Sequence, residues 1–254
     1  MAPDGDIRGY ILCATPRSGS TLLCGLLAAT GQAGDPHSFF RREDIAEWAA
    51  HWGLSPHAAL GKPAFDRAYL AAALSAGRAG TKLFGLRLMA QTQPELNALL
   101  DRLYPGLPDD RARLERAFGG LVFVHLSRGD LLAQAISLVR ARQTGLWHRA
   151  PDGSDVERLG PPRSPHYDPA AIGAELAQLQ QDAAHWDTWL AREGITPVKL
   201  TYEALAADPA AALALVCRTL GISLPSAGQI RPRVARLGDA LNHAWAARFR
   251  AETG

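Results

Sequence analysis

Short apolar runs alternate along the chain with longer stretches in which apolar residues recur every three or four positions. The short runs are typical of buried strands, and the longer stretches are typical of helices that cover one face of a sheet. Strands are predicted at residues 10–14, 81–88, 121–126 and 197–202. Helical spacing is found at residues 22–27, 131–139, 168–194 and 208–221. This alternation predicts an α/β fold with a central parallel sheet flanked by helices.

The segments between these elements predict one domain with two elaborations. Residues 36–78 have a mostly helical pattern and are predicted to be an insertion. Residues 145–167 are rich in proline, glycine and charge and are predicted to be a long loop. We expect both to shape a ligand site. Neither a repeat nor a linker interrupts the alternation, so residues 1–254 are predicted to be a single domain.

Composition narrows the class of protein. The 254 residues are 47% hydrophobic and 20% charged, with a formal net charge of +2 and three cysteines. Such a chain folds around a core, has no disulfide framework and lacks the charge excess of a nucleic-acid binder. The chain contains no run of about 18 apolar residues, which is the length that a membrane span needs. The first residues lack the basic-then-apolar order of a signal peptide. We therefore expect a cytoplasmic protein with no nucleic-acid partner and no integral membrane segment.

The polar loop after the first strand predicts an anion site. It runs from Thr15 to Thr21 and leads into a helix, whose first N–H groups and dipole favour negative charge. The loop adds hydroxyl groups and the Arg17 guanidinium. It contains one glycine and no lysine, so it is not a Walker A motif, which argues against an ATPase or GTPase that holds Mg²⁺.

A second anion site is predicted at the end of the third strand. Arg128 follows that strand at its carboxyl end, where open α/β sheets bind their ligands. Ser137 comes nine residues later on the next helix and can hold a phosphate together with Arg128. An ion pair of Arg128 with Asp130 is the alternative. Two separate phosphate sites at one edge of a sheet indicate a nucleotide that is phosphorylated at two distant positions.

Residues 13–23, with the sequence CATPRSGSTLL, resemble the 5′-phosphosulfate loop of bacterial sulfotransferases of the trehalose 2-sulfotransferase type. Further similarity extends over almost the whole chain, at residues 29–31, 33–34, 36, 39–40, 85–89, 124–137, 143–144, 147, 202–205 and 236–250. The resemblance implies a P-loop-NTPase-like sulfotransferase fold and the donor 3′-phosphoadenosine 5′-phosphosulfate, with 3′-phosphoadenosine 5′-phosphate as product. It also implies no metal and a possible homodimer.

The resemblance assigns roles to both predicted anion sites. The loop would bind the 5′-phosphosulfate through Pro16, Arg17, Ser18, Gly19, Ser20 and Thr21. Arg128 and Ser137 would bind the 3′-phosphate. Arg17 and the loop N–H groups would also offset the charge that develops during transfer, which is a catalytic role.

The chain departs from the family at the general base. The family has a glutamate in a Pro-Gln-Glu-Phe-Phe loop, where this chain has Ser38 in Pro36-His37-Ser38-Phe39-Phe40. A serine does not act as a base at neutral pH, whereas an adjacent histidine can. Four alternatives stay open: His37, Glu43, Asp44, or an acidic group on the acceptor itself.

The residues predicted to contact the acceptor also include a difference from the family. Arg87 replaces the family's lysine in Gly85-Leu86-Arg87-Leu88-Met89, and the two cations are not equivalent donors. Ser38, Arg87, Gln143 and Trp147 are predicted to contact the acceptor, and His148 adjoins them. The leading hypothesis is sulfuryl transfer to a hydroxyl of a small saccharide, glycolipid precursor or metabolite. The alternatives are a non-catalytic bisphosphate-binding protein and a small-molecule kinase.

Overall fold

The computed structural model describes residues 6–54, 61–225, 234 and 238–253, so part of the 36–78 segment and the first residues of the 236–250 tail lie outside it. The strands are Ile7–Ala14 (β1), Phe84–Met89 (β2), Gly120–Ser127 (β3), Leu146–Arg149 (β4), Asp155–Arg158 (β5) and Val198–Thr201 (β6). The helices are Ser20–Ala28 (α1), Ile45–His51 (α2), Pro63–Arg78 (α3), Gln93–Leu103 (α4), Asp110–Phe118 (α5), Leu131–Thr144 (α6), Pro169–Arg192 (α7), Tyr202–Ala207 (α8), Pro209–Leu220 (α9) and Ala240–Thr253 (α10).

The four predicted strands form one sheet in the order β2-β1-β3-β6. Every neighbouring pair is parallel, and β1 lies against both β2 and β3 over most of its length. The chain leaves β1 toward β2 and leaves β3 toward β6, so the connections diverge at the β1/β3 boundary. Such a switch point opens a crevice at the carboxyl ends of the strands. The predicted α/β fold with a central parallel sheet is confirmed.

The two faces of the sheet bury separate layers of side chains. Ile11 and Cys13 of β1 pack with α2, α3, α4, α5 and α7. Tyr10 and Leu12, which alternate with them, pack with α1, α8 and α9. Full burial of a large apolar side chain stabilises the fold by roughly 1.5–3 kcal/mol. The alternating side-chain directions of β1 therefore place it between two apolar layers, as its uninterrupted apolar run predicts.

Aspartate caps set the starts of four helices, α5, α6, α7 and α9. Asp168 accepts a hydrogen bond from Ala171 N at 2.9 Å, and Asp208 accepts one from Ala211 N at 2.9 Å. The proline after each occupies the first helical position, where no N–H is needed. Asp130 caps α6 in the same way, so it serves the helix that carries Ser137. The helix starts predicted at Asp168-Pro169 and Asp208-Pro209 are confirmed.

The long loop predicted at residues 145–167 contains, in its first half, the antiparallel pair of β4 and β5, which the prediction did not include. Asp152 accepts hydrogen bonds from the N–H and hydroxyl of Ser154, and Ala150 N donates to Ser154 O. Pro151-Asp152-Gly153 is therefore a turn signal that marks the hairpin. The sequence pattern did not predict this hairpin, because its short strands show no alternation of apolar residues.

The 36–78 segment is helical at α2 and α3, and its extended start joins the sheet. His37 pairs with Leu86 beside β2, and Arg87 N donates to His37 O at 3.1 Å. Tyr69 on α3 donates to Phe39 O at 2.5 Å from a buried position. These bonds fix the backbone on both sides of Ser38 and place this residue beside Arg87.

The three cysteines, Cys13, Cys24 and Cys217, are buried and form no disulfide. Burial raises the pKa of the Cys24 thiol to about 11, so it stays protonated at neutral pH. Among the described residues, no helix is both long enough and apolar enough to cross a bilayer.

Candidate active site

The loop between β1 and α1 has a backbone that few residues adopt. Arg17 has a φ of 63° and Gly19 a φ of 87°, both in the left-handed region. A Cβ on Gly19 would lie 2.9 Å from Tyr202 Cδ2, so only glycine fits there without displacement. Strain of this kind concentrates at ligand sites. The turn brings the chain into α1 at Ser20, where the first N–H groups have no partner within the helix.

Buried hydrogen bonds hold this loop in place. Ser18 is fully buried and donates from its hydroxyl to Thr15 O at 2.8 Å. Gln134 on α6 is also fully buried and donates to Thr15 Oγ1 at 2.8 Å and to Pro16 O at 2.6 Å. The structure therefore places the Ser18 side chain within the loop, away from the cavity. Gln134 was not predicted, because its bonds join residues about 120 positions apart.

The two predicted anion sites adjoin each other. Arg17 Nε donates to Ser137 Oγ at 3.0 Å, and Arg128 Nη1 donates to Arg17 O at 3.1 Å. The Arg128 guanidinium lies over the Tyr202 ring, 4.3 Å from its centroid, a cation–π contact that orients it. Burial and the charge of Arg128 lower the pKa of Arg17 to about 10, which leaves it charged at neutral pH. The structure thus brings together Arg17, Arg128 and Ser137.

A chain of hydrogen bonds links Ser38 to His148. Arg87 donates from Nε to Ser38 Oγ and from Nη1 to Thr21 Oγ1, both at 2.9 Å. Thr21 Oγ1 lies 3.0 Å from His148 Nε2, and Glu157 Oε2 lies 3.5 Å from the same nitrogen. Burial and the charges of Arg17 and Arg87 lower the pKa of His148 to about 4. At neutral pH the imidazole is therefore uncharged.

The hairpin of β4 and β5 is tied to the loop. Trp147 O accepts a hydrogen bond of 2.5 Å from Arg17 Nη1. At the base of the hairpin, Leu159 N donates to Gly145 O at 2.7 Å. A Cβ on Gly145 would lie 2.3 Å from Leu159 O, so this close approach requires glycine. These bonds hold Trp147 and His148 over the anion sites.

The candidate bases lie in different surroundings. Glu43 and Asp44 line the cavity and pair with Arg41 at 3.3 and 3.6 Å. Burial raises the pKa of Asp44. His37 is half exposed, pairs with Asp35 at 3.3 Å and packs against Trp48. The structure therefore brings Glu43 and Asp44 to the cavity, whereas the His37 ring is not among the described side chains that line it.

One cavity of about 960 Å³ joins these groups. Its size is within the range of ligand sites. Of the predicted residues, the lining includes Pro16, Arg17, Gly19, Ser20, Thr21, Ser38, Glu43, Asp44, Arg87, Arg128, Ser137 and Trp147. Gln143 is directed elsewhere, since its Oε1 accepts from His166 N at 3.0 Å.

Several lining residues were not predicted. Helix α10 contributes Asn242, His243 and Arg250. Gln91 and Gln178 also line the cavity, and both donate to the buried carboxylate of Asp182. No local signal marks these residues, because they reach the cavity only through helix packing. Within the described ranges, no cluster of three or more His, Cys, Asp or Glu has the arrangement of a metal site.

The fold and site define an α/β protein in which two arginines and the start of a helix line a cavity at the β1/β3 edge of a parallel sheet, without a Walker lysine. Residues 9–252 match the family model for Stf0 sulphotransferase, and the chain belongs to this family. The protein is therefore an enzyme of the sulfotransferase class, which confirms the resemblance. The alternatives of a binding protein and a kinase are set aside.

Two named relatives extend over nearly the whole chain. A trehalose 2-sulfotransferase of Mycobacterium tuberculosis is 32% identical over 269 residues, which cover 97% of this chain and 96% of that one. A trehalose 2-sulfotransferase of Mycolicibacterium smegmatis is 28% identical over 272 residues, with coverage of 95% and 94%. A solved sulfotransferase domain from the Synechococcus PCC 7002 olefin synthase aligns with a TM-score of 0.48 and 16% identity, over 99% of this chain and 90% of that one.

Proposed function

We propose that this sulfotransferase moves a sulfuryl group from 3′-phosphoadenosine 5′-phosphosulfate to a hydroxyl of a small polyhydroxylated acceptor, a saccharide in the first instance. The assignment of the donor rests on the direct contact between the two anion sites. Arg17 donates to Ser137, and Arg128 donates to Arg17 O. A donor with phosphate at two positions of one ribose requires two anion sites in one cavity.

The donor side of the cavity consists of Pro16–Thr21, Arg128 and Ser137. In our proposal, Arg17 and the first N–H groups of α1 hold the 5′-phosphosulfate, and Arg128 with the Ser137 hydroxyl holds the 3′-phosphate. Guanidinium groups, hydroxyls and helix N–H groups are the donors that phosphate and sulfate esters bind. The chemistry of the side chains in the structure therefore fits this donor.

Catalysis in this arrangement is mostly electrostatic. The acceptor oxygen attacks sulfur in line, and the bond from sulfur to the bridging phosphate oxygen breaks. Arg17 and the N–H groups of Ser20 and Thr21 offset the negative charge that accumulates on the departing phosphate. Buried bonds from Ser18 and Gln134 fix the loop beforehand, so little reorganisation is needed during transfer.

The acceptor side consists of Ser38, Arg41, Glu43, Asp44, Arg87, Gln91 and Gln178, all of which line the same cavity. Asp182 accepts the amide N–H groups of Gln91 and Gln178, so the two amide oxygens are left to accept hydrogen bonds from a ligand. Carboxylates and amide oxygens suit the many hydroxyl donors of a saccharide. The two named relatives are called trehalose 2-sulfotransferases, which makes trehalose the first acceptor to test.

Ligand-induced stabilisation tests the donor assignment. We expect 3′-phosphoadenosine 5′-phosphate at 100 times its Kd to stabilise the protein by about 2.7 kcal/mol. AMP lacks the 3′-phosphate and should bind at least about tenfold more weakly. Stabilisation by ATP with Mg²⁺ but not by the bisphosphate would contradict the proposal.

Arg128→Gln should weaken the bisphosphate about tenfold or more and leave AMP nearly unchanged. Arg8→Gln is the matched control, because Arg8 lies at the opposite end of β1 and pairs with Asp6 on the surface. An equal loss of both ligands in the Arg128 variant would refute its assignment to the 3′-phosphate. Labelled sulfate transferred from the donor to trehalose, or to another acceptor of a saccharide panel, would then identify the product.

A further inference from the structure

We propose that His148 is the general base of this enzyme and takes the proton of the acceptor hydroxyl at Nε2, by way of the Thr21 hydroxyl. This inference rests on the proposed function, because it requires the donor to bind at the loop of Pro16–Thr21. His148 lies on β4, lines the cavity and contacts the loop through Thr21. It would supply the proton acceptor that Ser38 does not provide.

The hydrogen bonds around Thr21 determine the protonation of the ring. Arg87 Nη1 donates to Thr21 Oγ1, so the hydroxyl proton of Thr21 is available to donate to His148 Nε2, 3.0 Å away. In the uncharged ring this nitrogen then carries the lone pair, and the proton lies on Nδ1. The lone pair therefore faces the loop at which transfer takes place.

Charged groups from three elements face the ring. Arg17 from the loop and Arg87 from β2 are positive, and Glu157 from β5 lies 3.5 Å from Nε2. Together with burial, the two arginines hold the pKa of His148 near 4, which keeps the ring ready to accept a proton but makes it a weak base. The phosphates and sulfate of the donor would neutralise these same arginines. Donor binding should therefore raise the pKa toward the neutral range and strengthen the base when it is needed.

Two of the other candidate residues are paired with a cation, and the third is not among the described side chains that line the cavity. Glu43 and Asp44 pair with Arg41, and His37 pairs with Asp35 and packs against Trp48. In the proposed step, the acceptor oxygen bonds to sulfur while its proton passes to Thr21 Oγ1 and the Thr21 hydroxyl proton passes to Nε2. The bond from sulfur to the bridging oxygen breaks, and its electron pair leaves on the 5′-phosphate. Glu157 stabilises the resulting imidazolium, and water then removes the proton.

A ring titration tests the inference without turnover. The NMR signals of His148 are followed against pH in the free protein and with saturating 3′-phosphoadenosine 5′-phosphate. We expect the bisphosphate to raise the midpoint by about one pH unit or more. Bisphosphate binding with an unchanged midpoint would overturn the inference and leave the donor assignment intact. Failure of the bisphosphate to bind would overturn both.

Substitution separates proton transfer from positioning. His148→Gln keeps a hydrogen-bond acceptor near Thr21 but takes up no proton, and kcat should fall about 10²- to 10⁴-fold. Turnover is measured as bisphosphate released from the donor, with trehalose or water as acceptor. The Kd of the bisphosphate should stay within about threefold, and His37→Gln, the matched control, should stay within about twofold in both quantities. His148→Asn is the second variant should the first not fold, and wild-type kcat in a folded variant would overturn the inference.

Discussion

The two sides of the cavity that we assign to the donor and to the acceptor are held together by different kinds of contact. On the donor side, Ser18 and Gln134 are fully buried, and their bonds connect the loop to itself and to α6. On the acceptor side, Arg41 is 48% exposed and pairs with Glu43, which is 70% exposed. Exposed ion pairs contribute only about 0–1 kcal/mol, whereas a lost buried hydrogen bond costs about 1–3 kcal/mol.

This difference teaches which part of the site is preorganised. The donor groups need little adjustment, because buried bonds and a strained loop hold them before any ligand arrives. The acceptor groups can reorient at small cost, so changes there are tolerated by the fold.

Among changes on the donor side, Arg17→Gln should lower kcat the most. The glutamine keeps a donor near Ser137 but removes the charge that faces the transferred group, so we expect kcat to fall about 10²- to 10³-fold. The release of bisphosphate from the sulfuryl donor measures this effect. Arg41→Gln on the acceptor side is the matched control and should change kcat less than about fivefold. Similar losses in the two variants would show that the sides do not differ as the structure indicates.

The pH dependence of stability should report the buried charge environment that His148 shares with Arg17 and Arg87. Folding lowers the pKa of His148 from 6.5 to about 4. Between these pH values the unfolded chain therefore binds the proton more readily than the folded protein does. The contribution of His148 to stability is complete above pH 6.5 and is lost as the pH falls to 4. Over this window, wild type should lose about 3 kcal/mol more unfolding free energy than His148→Gln. Denaturant unfolding at several pH values measures this, and parallel curves for the two proteins would contradict it.

Gln134→Leu tests the buried hydrogen bonds of the donor side, and its expected effect is smaller. The change removes both amide bonds to the loop and leaves the partly buried Pro16 carbonyl without this donor. We expect the unfolding free energy to fall by about 2–3 kcal/mol and the bisphosphate to bind about tenfold more weakly. Gln143→Leu on the same helix is the matched control, because its bonds to His166 are exposed, and it should cost less than about 0.5 kcal/mol. Equal destabilisation by both changes would argue against a special role for the buried amide.

Local sequence signals predicted the framework well. Four apolar runs became the four strands of the sheet, and Asp168-Pro169 and Asp208-Pro209 start the helices that they predict. These predictions are accurate because strand burial and helix capping depend on neighbouring residues. The hairpin of β4 and β5 was missed because its strands are short and show no alternation of apolar residues, although Pro151-Asp152-Gly153 is typical of a turn.

The sequence by itself determined the parallel α/β framework, the polar loop after β1 and the arginine after β3. It determined them because period-two and period-3.6 patterns, caps and glycines act over a few residues. Only the tertiary structure decided that Arg17 meets Ser137, that Gln134 holds the loop, and that His148 lies near the charges of Arg17 and Arg87. These contacts join residues more than 100 positions apart, except for that between Arg87 and His148. Their distances and the resulting pKa values depend on how the sheet, α6 and the hairpin pack together.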